Sequence, residues 1–150
     1  MAKAAKGLKT LIRLSKFTVD EKRRTLTALQ NREDQVLAEI EAAEQQLRHE
    51  QQIARDDPGA GMFFGRFLGA WKDRRTAMEQ ALAAVRQQIE QARDELSEAF
   101  RELKTYEVTQ ANREKREREE LDRKEQVFLD EIGQNTHLRR KQAEAAEDGE

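Results

Sequence analysis

One proline, Pro58, limits how much of this chain can be a single helix. Proline lacks the amide hydrogen that an interior helical turn needs. Its ring also disfavours helix at the preceding residue, so Asp57 is expected to end one helix. The stretch Asp56-Asp57-Pro58-Gly59-Ala60-Gly61 adds two glycines, which admit backbone angles that other residues avoid. An Asp-Pro-Gly sequence between two periodic segments is a turn signal. The chain is expected to bend here, as a helical hairpin.

The flanking segments carry the periodicity. Upstream, steps of three and four pass through Ile12, Ser15, Val19, Lys22, Leu26, Leu29, Glu33, Val36, Ile40, Ala43, Leu47, Glu50 and Ala54. All are apolar except Ser15, Lys22, Glu33 and Glu50. A seam held over this many heptads is that of a coiled coil. Thr18-Val19-Asp20-Glu21 matches a capping box that would start a helix. The seam already passes through Ile12, however, so one helix over about residues 6–55 is expected.

Downstream the seam runs through Phe64, Leu68, Trp71, Arg75, Met78, Leu82, Val85, Ile89, Ala92, Leu96, Ala99, Leu103 and Tyr106, with only Arg75 charged. Folding the chain about residues 59–60 sets Ala54 beside Phe64, Leu26 beside Ala92 and Ile12 beside Tyr106. The second seam therefore ends where the first helix runs out, which argues for pairing within one chain. Beyond it, Arg113 to Glu120 is entirely charged, and Glu114–Arg118, Glu119–Arg123 and Glu120–Lys124 have the spacing of favourable helical pairs. Apolar residues return at Leu121, Phe128 and Ile132, one position out of the earlier register, a stutter. Gly133 and Asn135 signal a helix end.

The expected fold is all-α: an antiparallel two-helix coiled-coil hairpin with a longer second helix, in one domain. Its parts are helix 1 over about 6–55, a turn over 56–61, helix 2 over about 62–132, and a disordered acidic tail to 150.

Composition supports this and narrows function. With 39% charged and 37% hydrophobic residues, the chain suits long solvated helices better than a globular core. It has no cysteine, which removes disulfides, thiolate catalysis and cysteine-ligated metals. No apolar run approaches the roughly 20 residues that span a bilayer. Lys9 and Arg13 interrupt Leu8–Leu14, so the start lacks the apolar stretch of a signal peptide. A soluble cytoplasmic protein is expected. The net charge of −2 does not fit a polycation that wraps nucleic acid. The charge is uneven, however: Lys3, Lys6, Lys9, Arg13, Lys16, Lys22, Arg23 and Arg24 crowd the beginning against Asp20 and Glu21.

No residues assemble into a catalytic or metal motif. His49 and His137 have no partner at ligand spacing, and Gly61, Gly65 and Gly69 lack the Lys-Ser/Thr of a phosphate loop. Neither enzymatic activity nor a cofactor is expected. Two constellations remain. Beside the bend, Gly61-Met62-Phe63-Phe64-Gly65-Arg66-Phe67-Leu68-Gly69-Ala70-Trp71 holds three of the six phenylalanines and the one tryptophan. It reads either as a mini-core closing the hairpin or as a partner contact through Phe63, Phe67 and Trp71. At the open end, Lys6, Leu8, Lys9, Leu11, Arg13 and Lys16 read either as a solvated face or as a basic, amphipathic docking end.

Leu8-Lys9-Thr10-Leu11-Ile12-Arg13-Leu14, then Val19-Asp20-Glu21-Lys22-Arg23-Arg24 and Leu26-Thr27-Ala28-Leu29-Gln30, resemble the N-terminus of FliJ proteins. These are small coiled-coil components of the flagellar type III export apparatus. The size, the hairpin and the longer second helix resemble the family too, but the Gly-rich aromatic tip matches no general signature of it. The resemblance implies a stalk-like protein without catalysis of its own, peripheral to the membrane and monomeric alone. Its implied partners are the hexameric export ATPase, the export gate protein and export chaperones. The open end would contact the ATPase, and the flank or tip the gate. Two other classes compete: a coiled-coil adaptor or scaffold, dimeric through Leu121, Phe128 and Ile132, and an RNA-binding helical arm.

Overall fold

The structure, a computed structural model, describes residues 2–149, and its regular structure is entirely helical. Helix α1 spans Ala2–Asp56 and the longer α2 spans Pro58–Glu147. The chain divides into two compact units, Thr10–Leu103 and a second made of Met1–Lys9 with Lys104–Glu150.

The Thr10–Leu103 unit is the hairpin, and its bend is a single residue. Asp57 donates its amide to Ile53 O at 3.0 Å, closing the last turn of α1. Its carbonyl accepts from Ala60 N at 3.1 Å and Gly61 N at 3.3 Å, opening α2. Its carboxylate Oδ1 accepts from Gly59 N at 3.0 Å, satisfying an amide that the first turn of a helix leaves free. Pro58 occupies the first helical position, where its missing N–H costs nothing. The six-residue turn expected over 56–61 therefore contracts to Asp57. Gly59 and Gly61 lie inside α2 and neither has a positive φ. What Gly59 provides is room: a Cβ there would stand 3.3 Å from Asp57 Oδ1.

The capping-box residues at 18–21 do not start a helix. Thr18 instead donates its hydroxyl to Leu14 O at 3.1 Å within a continuous α1. Every residue of both seams in this unit is buried or half-buried. The centre is made of Ile12, Val19, Val36 and Ala43 on α1 against Val85, Ile89, Ala92, Ala99 and Leu103 on α2, with Ser15 the one buried polar residue among those described. Three of these are alanines, which let the two helices close together.

Three of the four charged seam positions, Lys22, Glu33 and Arg75, are paired across the hairpin. Lys22 meets Glu95 at 3.0 Å, Glu33 meets Arg86 at 3.3 Å, and Arg75 meets Glu44 at 3.0 Å while also reaching Glu79 at 3.5 Å. These ions are partly solvated, so each pair contributes only about 0.2–1 kcal/mol. They do fix register. Lys22 lies one turn before Leu26 and Glu95 three residues after Ala92, as the expected Leu26–Ala92 alignment requires. Further along, Arg23 lies over the Phe100 ring at 4.9 Å, a cation–π contact that shields an aromatic at the edge of the seam.

In the second unit, α2 continues through Gly133 and Asn135 to Glu147, past the end expected at 132 and through residues expected to be disordered; Glu150 lies outside the described residues. One exposed glycine costs a helix about 1 kcal/mol, too little to stop it among the Arg, Lys, Gln, Ala and Glu residues that follow. Thr136 donates to Ile132 O at 2.8 Å across this point. Of the expected charged pairs, Glu120–Lys124 closes to 3.6 Å.

Candidate interaction surfaces

Three exposed regions depart from a plain solvated helix. At the bend, Trp71 is half-buried and donates Nε1–H to Ala43 O at 2.7 Å. That bond ties α2 to α1. Phe67 is half-buried too, its ring 6.2 Å from that of Phe64. Of the expected tip trio only Phe63 stands free, 69% exposed. Beside it is Met62 at 83%, which lies off the seam. The tip thus holds a Phe64–Phe67 ring pair, a half-buried Trp71 bonded to α1, and an exposed Met62–Phe63 pair.

The expected basic end divides between the two units. In the hairpin unit, Leu11, Arg13 and Lys16 are exposed. In the other unit Lys6 and Lys9 are exposed, but Leu8 is only 8% exposed. Leu8 was expected on the docking surface, but it is buried within its own unit. Leu14 and Phe17, each 58% exposed, are larger free surfaces than Leu11. They are the apolar residues between Ile12 and Val19 that the heptad steps skip, and that skip is the signal that identifies them. Phe17 stands one turn from Arg13, so the exposed face of this α1 segment is both basic and apolar.

In the second unit, Arg113 donates to Ala4 O at 3.5 Å. These two residues border an open groove of about 280 Å³ lined also by Ala5, Arg116, Glu117 and Glu120. From position 111 to 149 every residue is exposed, including the large side chains Leu121, Phe128 and Ile132.

His49 and His137 are exposed, and among the described residues no group of three or more His, Cys, Asp or Glu is placed to hold a metal ion. No helix among them is long and apolar enough to cross a membrane.

Two long helices packed along heptad seams make this a coiled-coil protein. The family described as Flagellar FliJ protein matches residues 5–142, nearly the whole chain. The chain belongs to that family and is a component of the flagellar protein export apparatus, a structural part rather than a known enzyme. Comparison with curated proteins and with solved structures gives no match.

Proposed function

We infer that this protein is a non-catalytic coupling element of flagellar export. In this reading it contacts a hexameric export ATPase in the cytoplasm and passes that contact on to the export gate and to export chaperones at the inner face of the membrane. The family assignment supports the setting. The observation that carries the contact is the exposed segment of α1 in the hairpin unit where Leu11, Leu14 and Phe17 stand beside Arg13 and Lys16. Lysine and arginine at such a face steer an acidic partner toward it, and the leucines and phenylalanine supply buried area once it docks. Leu8 takes no part, because it is already buried. The exposed Met62–Phe63 pair at the bend is the contact assigned to the gate.

The test is binding of the full chain to the purified export ATPase at low and moderate salt. Binding weakens as salt rises, and Arg13→Glu with Lys16→Glu slows association more than it speeds dissociation. Met62→Ser with Phe63→Ser leaves that binding unchanged and weakens capture of the gate's cytoplasmic domain. Unchanged association by the Arg13→Glu, Lys16→Glu chain would remove the basic face as the docking surface.

A further inference from the structure

The exposed stretch of α2 in the second unit has the periodicity of an unfilled seam. Steps of four and three link Leu121, Glu125, Phe128 and Ile132. The same steps continue to Arg118 and Glu114 in one direction and to Asn135 and Arg139 in the other. Leu121 is 65% and Ile132 46% exposed, and Leu129 stands exposed at the edge of the stripe. A helix with such a stripe buries it against another helix.

The charges within the stripe distinguish the possible arrangements. A second copy lying parallel and in register would set Glu114, Arg118, Glu125 and Arg139 each against itself. Like charges facing each other in a seam oppose pairing. An antiparallel copy, crossing midway between Glu125 and Phe128, removes all four clashes. Leu121 then faces Ile132 of the second copy, Arg139 faces Glu114, and Arg118 faces the amide of Asn135. Phe128 covers the stem of Glu125. At the flanking positions that oppose each other in antiparallel coils, Lys124 faces Glu131. The arrangement is two-fold symmetric, so each favourable contact occurs twice.

We propose that residues 114–139 of α2 are a self-association surface, which pairs antiparallel with the same stripe of a second copy of this chain. The apolar centre is short, so the association is weak and concentration-dependent. The monomer expected from the sequence is its dilute state. The proposal does not depend on contact with the ATPase.

Sedimentation velocity of the full chain from about 1 μM to about 100 μM tests it. The average mass should rise from the monomer toward twice that value. Lys124→Glu should weaken association roughly tenfold, and adding Glu131→Lys should restore it, because the swap recreates the pair. Orientation is read by cross-linking, which is clean because the chain has no cysteine. Under oxidising conditions a Leu121→Cys chain mixed with an Ile132→Cys chain should give a linked dimer, and neither chain should link to itself. A mass that stays monomeric throughout, or Leu121→Cys linking to itself as readily as to Ile132→Cys, would overturn the proposal.

Discussion

Asp57 ends one helix and begins the next, and each of its polar groups has a separate task. Replacing it with alanine removes only the side-chain cap on Gly59 N, which should cost about 1 kcal/mol. Gly59 is coupled to it. Alanine is better than glycine inside a helix by about 1 kcal/mol, but here its Cβ would stand 3.3 Å from the capping carboxylate. Gly59→Ala should therefore stabilise the Asp57→Ala chain by about that amount and the native chain by less. Chemical denaturation of the four chains gives the coupling; equal gains in both backgrounds would show that the cap and the glycine are independent. The sequence made the bend legible through Pro58. It did not reveal its tightness, because glycines beside a proline read as turn residues when here they are the first turn of α2. Trp71 shows a related limit. Its place on the seam was legible, but the hydrogen bond to Ala43 O depends on the distance between two helices far apart in sequence.

At the scale of the helices, the heptad seams were legible almost residue by residue, since burial follows a period that the sequence prints directly. Their polar interruptions looked like defects. In the hairpin unit Lys22, Glu33 and Arg75 each find an opposite charge on the other helix, so they help hold the register that the apolar residues leave free to slide. The end of α2 was not legible. Gly133 and Asn135 are stop signals in a short helix, but the cost of one glycine is small beside a long run of good helix formers. The seam itself is testable at Val36, which is 1% exposed. Val36→Glu buries a carboxylate with no partner and should cost at least about 3 kcal/mol. Thermal melting by circular dichroism should show a much lower midpoint for this chain than for one with Glu placed at the exposed His49. Equal midpoints would show that Val36 does not face the other helix.

For the molecule as a whole, class and family were legible because a coiled coil displays its pattern along the sequence, and the residues at the start carry the family likeness. Which apolar residues stay exposed was only half legible. Apolar residues off the seam, Leu14, Phe17 and Met62, are the free ones, whereas Leu8, Phe67 and Trp71 serve the packing of the chain. A sequence shows which residues are apolar, but helix packing decides which of them water still reaches. The remaining claim is that this chain acts on an export ATPase by contact and performs no chemistry itself. ATP turnover tests this most directly, measured for the purified hexameric export ATPase alone, for the chain alone, and for the two together. The account predicts no turnover by the chain alone and a rate for the mixture well above that of the ATPase, lost when Arg13→Glu and Lys16→Glu are combined. A mixture no faster than the ATPase alone, or turnover by the chain itself, would contradict it.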